Sequence, residues 1–343
     1  MEVIYFMMHA KSNNKILITG GYGYIGSHTI VALHTVGYEV IVVDNLSNST
    51  KKIGKNLEII CKKTHKLYEI NILNFDELLN CFIKEKPAAV IHFAGLKAVE
   101  ESVKNPLLYY QNNIQGTINL LDIMGKVDCN NIIFSSSATV YGNPSEMPIN
   151  EKHILNAINP YGSTKIFCEK IIDDWVKVNK KRSSTILRYF NPIGAHESYL
   201  IGDNPNSVPN NLMPYIVSVA NGTSEKVSIF GDDYPTKDGT GIRDYIHVMD
   251  LAEAHVLAIL NDQRGRSRVY NLGTGKGISV LELIKTFEIE NKVKVKYTVS
   301  SRREGDAAEV YADVKLVKNQ LNWSANRTLK EMCKSAWSFG KNL

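Results

Sequence analysis

Lys15-Ile16-Leu17-Ile18-Thr19-Gly20-Gly21-Tyr22-Gly23-Tyr24-Ile25-Gly26 is the stretch that decides the fold. Lys15 to Thr19 reads as a short apolar strand, and Ile25 to Thr35 as the helix that follows. Gly20, Gly23 and Gly26 recur between them at every third position. Such a turn needs a positive φ, a backbone that a pyrophosphate can approach, and a helix packed close to its strand. Glycine meets each demand because it has no Cβ. The spacing of these three is G-x-x-G-x-x-G, with Gly21 as a further glycine.

Outward from the turn, strand and helix signals alternate. Glu39 to Val43 is a second strand, ending at Asp44, and Ala88 to Phe93 and Asn131 to Phe134 are two more. Continuous β-branched runs alternating with helices predict a parallel sheet covered on both faces. The expected class is α/β: a Rossmann-type doubly wound parallel sheet with a smaller mixed substrate-binding lobe. Ligands then sit beyond the carboxyl ends of the strands, where Asp44, His92 to Lys97 and Ser135 to Ser137 fall. A carboxylate at Asp44 accepts from ribose hydroxyls and repels a 2′-phosphate, which favours NAD over NADP.

Residues 107–124 and 160–179 read as helices with apolar positions on more than one side, so each needs a second packing partner. On the first, Tyr110, Ile114, Ile118 and Leu121 are the expected core stripe. A homodimer interface is one way to cover the remainder. Residues 191–243 are rich in Pro, Gly, Asn and Asp and predict loop-dominated, substrate-binding structure. The expected division is an extension over 1–13, a dinucleotide-binding domain over 14–190, and a mainly substrate-binding domain over 191–343. Parts around 244–275 are expected to return to the first domain.

Tyr161-Gly162-Ser163-Thr164-Lys165 places a phenol and an ammonium at i and i+4, on one helical face. A free tyrosine, with a pKa of about 10, is a poor base at neutral pH. A nearby Lys165 cation and a positive nicotinamide ring are expected to lower it. Ser137, at a strand exit, can hydrogen-bond a substrate hydroxyl and steady the proton. A Y-x-x-x-K alone is common by chance; with the glycine turn and the serine upstream it points to nicotinamide redox chemistry on a hydroxyl-bearing substrate.

The 343 residues carry 40 basic and 35 acidic side chains, a net charge of +5 too mild and scattered for a nucleic-acid surface. No stretch approaches the roughly 20 apolar residues of a membrane span. The 5 cysteines form no C-x-x-C pair, which suits a reducing, cytoplasmic compartment and argues against a disulfide framework or a metal site.

Taken together, Thr19–Gly26, Asp44–Ser49, His92–Val99, Ser135–Gly142, Tyr161–Lys165, Arg188–Pro192, Pro209–Pro214, Gly239–Val248 and Arg302–Asp306 resemble the extended short-chain dehydrogenase/reductases, and within them the UDP-glucose 4-epimerase family. The resemblance runs from residue 15 to about 338. It implies reversible oxidation at C4 of a UDP-hexose, with UDP-galactose and UDP-glucose as the pair interconverted. It implies Ser137, Tyr161 and Lys165 as catalytic residues. NAD would be held by Gly20, Gly23, Tyr24, Ile25, Gly26, Asp44, Asn45, Asn48, Ser49, Asn71, Ile72, Phe93, Ala94, Gly95, Lys97, Asn112 and Phe190, with the catalytic trio also at the cofactor.

The UDP-sugar would meet Ser137, Tyr161, Asn191, Asn211, Ser228, Ile229, Phe230, Arg243, Arg303, Asp306 and Val310. Arg243 and Arg303 are suited to a diphosphate. Two positions depart from the family pattern. Asn71 stands where an acidic residue commonly meets the adenine; its amide oxygen can still accept. Val310 stands on the wall near the sugar's 2-substituent and is intermediate in bulk, which opens the alternative of a dual-specificity epimerase that also takes UDP-N-acetylhexosamines. A related 4,6-dehydratase would need an acid–base pair beside the serine, where this chain has Ala138-Thr139-Val140.

Overall fold

The computed structural model describes residues 14–204, 211–303 and 306–343, so the expected extension over 1–13 lies outside the described residues. Seven strands form the main sheet: β1 (Lys15–Thr19), β2 (Glu39–Val43), β3 (Lys66–Tyr68), β4 (Ala89–His92), β5 (Asn131–Ser137), β6 (Ser183–Tyr189) and β7 (Ser267–Leu272). Their spatial order is β7-β6-β5-β4-β1-β2-β3, and every pairing is parallel. The order reverses between β1 and β4. That switch point opens a crevice at the carboxyl ends of the strands, the general ligand position in such sheets.

Alternation along each strand sends successive side chains to opposite faces. Ile16, Ile18, Val40 and Val42 pack under α1 (Tyr24–Thr35), α2 (Lys51–Cys61) and a late helix, Val248–Leu260. Leu17, Ile41, Val90 and Ile132 pack on the other face under α3 (Phe75–Glu85), α4 (Gly116–Lys126) and α5 (Pro160–Lys177). Both faces are therefore dry, which is why the strands read as unbroken apolar runs. β7 returns from residue 267 to extend the sheet beside β6.

A second core lies outside the sheet. Met213, Ile216, Val217, Val227, Ile229, Leu283, Phe287 and Met332 close it. Within 191–243 most described residues lie outside regular elements, and the segment also contains a helix, Leu212–Ala220, and a strand, Val227–Phe230, paired in parallel with Tyr297–Ser300. The helix is too short to show a period, and Pro214 sits in its first turn, where a missing N–H costs nothing.

The expected core stripe on 107–124 is corrected. The chain passes from a short helix at Pro106–Tyr109 through a π-turn at Tyr110–Gln115 into α4. A π-turn inserts an extra residue and shifts the phase of the buried face. Leu120, Leu121, Ile123 and Met124 are buried, while Tyr110 and Ile114 are half-buried and Ile118 is exposed.

Candidate active site

β1 enters the glycine turn at Gly20, whose φ is +69°. A Cβ there would lie 2.7 Å from the Ala94 nitrogen, so the loop after β4 presses directly on the turn. A Cβ on Gly26 would meet the Gly20 carbonyl and come within 2.8 Å of Gly21 Cα. Gly23 is the N-cap of α1; it offers no side-chain cap, and the first turn holds no acidic residue. The first N–H groups of this helix therefore have no side-chain cap, an arrangement that suits an anion. These features fit the pyrophosphate of a dinucleotide. The Tyr24 hydroxyl donates to the Gly194 carbonyl at 2.7 Å, and Ile25 packs on the core.

Asp44 is buried at the end of β2. Its Oδ2 accepts from the Tyr22 N–H at 2.9 Å, and its Oδ1 from the Leu46 N–H at 2.9 Å and the Ser49 hydroxyl at 3.0 Å. Asn45 accepts from Ser47, and Asn48 is exposed. Asn71 is exposed and its Oδ1 accepts from the Leu73 N–H at 3.0 Å, one lone pair remaining; Ile72 is buried. Phe93 and Ala94 are half-buried beside the turn, the Phe93 ring 4.9 Å from that of His255, while Gly95 and Lys97 are exposed.

Ser137 closes β5, so the three serines read as a strand exit are themselves paired with β6. Ser137 Oγ accepts from the Thr139 N–H at 3.2 Å and the Thr139 hydroxyl at 3.0 Å, which leaves its own O–H to donate. Asn159 and Pro160 start α5: the Asn159 side chain accepts from the Gly162 N–H at 2.8 Å, and proline takes the first helical position. A Cβ on Gly162 would lie 2.9 Å from the Thr139 carbonyl. Glycine there lets the first turn of α5, carrying Tyr161, seat against the Ser137 turn.

One turn on, the Lys165 ammonium donates to the Ser135 carbonyl at 2.7 Å and stands 5.8 Å from the centre of the Tyr161 ring. Burial raises the phenol above its ordinary value, and the Ser137 hydroxyl offsets only part of the rise. Burial also lowers Lys165 to about 8, against the smaller opposing effects of Cys168 and Glu169. The ammonium spends a hydrogen bond on the Ser135 carbonyl, and in the protein alone desolvation outweighs attraction.

On the facing lobe, Arg243 pairs in register with Val310 across two short strands. Its Nη2 donates to Asp306 at 3.1 Å, and its Nη1 donates to the carbonyls of Ile242 and Ala307. The Arg303 guanidinium stacks 3.8 Å from the centre of the Phe230 ring. Ile229 is buried in the lobe's core, so Ser228 and Phe230 take the half-buried face of that strand and Ile229 offers only its backbone. Val310 is half-buried against the cluster that holds Phe190 and Ala138. Asn191 and Asn211 are exposed, and Asn211 Nδ2 donates to Asp203 at 3.3 Å. Pro209, Asn210, Glu304 and Gly305 lie outside the described residues.

Three supports were not read from the sequence. Asn113, buried beside the half-buried Asn112, accepts from the Leu96 N–H at 2.8 Å and donates to the Leu96 carbonyl and to Thr164 on α5. Arg188 on β6 forms two bonds to Glu169 on α5, Nη2 to Oε2 at 2.6 Å and Nε to Oε1 at 3.0 Å; Ser136 and Tyr141 complete the group. Asp244 accepts from the N–H groups of Thr274, Gly275 and Ala312. Asn113 stands in the polar run Gln111-Asn112-Asn113-Ile114-Gln115, so no break in an apolar pattern marked it out. The other two are carboxylates whose partners are far apart in sequence.

Among the described residues no helix is long and apolar enough to cross a membrane. The family model described as GDP-mannose 4,6 dehydratase matches residues 17–336. A UDP-glucose 4-epimerase of Bacillus subtilis is 51% identical over 94% of this chain and 95% of its own. The crystal structure of the Stenotrophomonas maltophila UDP-glucose-4-epimerase, with bound NAD and formylated UDP-arabinopyranose, superposes with a TM-score of 0.94 at 44% identity, covering 96% of this chain and 98% of that one. The Bifidobacterium longum enzyme, in complex with NAD+ and UDP, gives a TM-score of 0.93 at 44% identity with the same coverage of 96% and 98%. The matched family model, the near-complete overlap with these enzymes, and the Ser137, Tyr161 and Lys165 grouping beside the glycine turn agree: the chain belongs to the UDP-glucose 4-epimerase family of extended short-chain dehydrogenase/reductases.

Proposed function

We propose that this protein interconverts UDP-galactose and UDP-glucose by transient oxidation at C4, with NAD retained as a cofactor. The observation that carries the reading is the meeting of Ser137, Tyr161 and Lys165 at the carboxyl end of β5, beside the switch point where the glycine turn lies. NAD, held at the glycine turn and Asp44, would supply the acceptor and donor of the C4 hydride and a positive ring that would favour phenolate at Tyr161. Tyr161 takes the proton of the 4-hydroxyl and gives it back. Ser137, held by Thr139, donates toward the reacting oxygen, and Lys165 lies beneath the phenol. Arg243 and Arg303 grip the diphosphate while the keto-sugar turns over between two orientations. Net redox is zero. The purified protein is therefore expected to convert UDP-galactose to UDP-glucose without added reductant. Its released cofactor, identified by mass spectrometry, is expected to be NAD. Absence of conversion by folded, NAD-saturated protein refutes the reading, and recovery of mainly NADP refutes the role given to Asp44.

Residues 14–190, with the returning segment around 244–275, form the NAD-holding unit in this proposal, and the rest of 191–343 meets the UDP-sugar. The cytoplasm is its compartment, supported by five free cysteines. The working form is a homodimer. Leu107 is 73% exposed, and Leu108, Ile118 and Phe167 are exposed beside it on the 107–124 and 160–179 segments. Burying such side chains is worth about 1.5–3 kcal/mol each. Light scattering at micromolar concentration is expected to give twice the chain mass, and Leu107→Glu to shift it toward the monomer. A monomeric wild type overturns the proposal.

A second substrate class rests on Val310. It is smaller than an aromatic wall but stiff at χ1. An acetamido group at C2 then meets a slightly tight site, where overpacking costs about 1–3 kcal/mol. UDP-N-acetylglucosamine is expected to be a poorer but measurable substrate, and Val310→Tyr to remove that activity while sparing UDP-glucose. Unchanged N-acetyl activity in Val310→Tyr would show that Val310 does not line this wall.

A further inference from the structure

Tyr22 lies in the middle of the glycine turn, yet its side chain is buried at 6% exposure. Its backbone N–H donates to Asp44 Oδ2 at 2.9 Å, and its hydroxyl shares a hydrogen bond of 2.9 Å with His65 Nε2. The two rings meet edge to face at 5.6 Å. His65 immediately precedes β3, and the far end of β3 closes the circuit, because the Tyr68 carbonyl accepts from the Asp44 N–H at 3.1 Å. One residue of the turn is thus tied through its backbone to the end of β2 and through its phenol to the start of β3.

The surroundings are shaped for this contact. Gly54 on α2 leaves the space that the phenol fills: a Cβ there would lie 2.9 Å from Tyr22 Cζ. The other ring nitrogen of His65, Nδ1, is buried and has no hydrogen-bond partner, so among the described residues Tyr22 is the ring's one hydrogen-bond partner, while the His34 ring lies 6.3 Å from it.

We propose that Tyr22 and His65 form a clasp that holds the glycine turn, Asp44 and the segment following β3 as one unit, so that the adenosine half of the site stands ready before NAD arrives. The proposal rests on the reading of this crevice as an NAD site. Tyr22 and His65 are positioning residues: they act on NAD through the turn and Asp44, and neither acts on the sugar. Rigidity of this kind lowers the ordering cost of binding and so slows release of the cofactor.

The test uses the holoenzyme. NAD release is followed by exchange against excess isotopically labelled NAD in wild type, Tyr22→Phe, His65→Ala, His65→Gln and the double variant Tyr22→Phe/His65→Ala. Loss of one hydrogen bond of ordinary strength predicts release faster by about fivefold to tenfold in Tyr22→Phe and in His65→Ala. The double variant should release no faster than either single one, because both remove the same bond. His65→Gln, which can still bond the phenol, should return toward the wild-type rate. At saturating NAD, kcat of His65→Ala should match wild type. Release within twofold of wild type in both single variants overturns the clasp, as does additive acceleration in the double variant or a fall in kcat at saturating NAD. A wild-type protein that neither carries nor binds NAD overturns the functional reading instead.

Discussion

Tyr161→Phe is expected to lower epimerase turnover by about 10²–10⁴-fold, the usual contribution of a positioned general base. The ring is retained, so the packing at the head of α5 survives, and its cap from Asn159 to the Gly162 N–H is untouched. What is lost is the hydroxyl that meets Ser137. The melting temperature and the NAD content should therefore stay at wild-type values while product formation from UDP-galactose falls. The raised pKa of the phenol adds a second reading of the same chemistry. Burial raises the Tyr161 phenol above its ordinary value in the protein alone, and a positive nicotinamide ring beside it would favour phenolate. A Phe variant retaining more than about a tenth of wild-type activity, well above the loss expected for a general base, would show that Tyr161 is not the base.

Arg188→Met is expected to destabilise the protein by about 3–5 kcal/mol, the range for removing one partner of a buried ion pair. Both Arg188 and Glu169 are buried, at 4% and 6% exposure, and two hydrogen bonds join them. Methionine fills much of the arginine's volume, so the loss comes mainly from leaving the Glu169 carboxylate without its counter-charge. Glu169 lies one turn beyond Lys165 on α5 and raises its pKa, so the site should feel the change as well. Replacing both partners, in Arg188→Met/Glu169→Leu, should recover a large part of the stability, because no buried charge remains unpaired. Denaturant unfolding of the single and double variants checks this. A single variant within 1 kcal/mol of wild type, well short of the cost just cited, would show that the pair is not holding β6 to α5.

Much of this was legible along the chain because it is local. The glycine turn, the strand that ends at Asp44 and the Tyr161–Lys165 spacing each express a short-range rule: φ permissiveness, two-faced burial, helical periodicity. The resemblance added positions in the second lobe. What was not read along the chain has physical causes too. A nine-residue helix with proline in its first turn shows no period to read. The π-turn at Tyr110–Gln115 slides the buried face by a residue, and a constant-spacing rule cannot anticipate that.

By itself the sequence determined the class of fold, the place of the glycine turn and the placing of Tyr161 and Lys165 on one helical face, since each depends on residues that are neighbours in the chain. Only the tertiary structure decided the electrostatics and the supports. Lys165 is bonded to the Ser135 carbonyl. Asn113 ties the loop after β4 to α5. Tyr22 reaches His65, and Asp244 gathers N–H groups from residues 274, 275 and 312. A pKa and a hydrogen-bond network depend on how much water is excluded and on which distant groups are brought within about 3 Å of one another, and those distances exist only after the chain has folded.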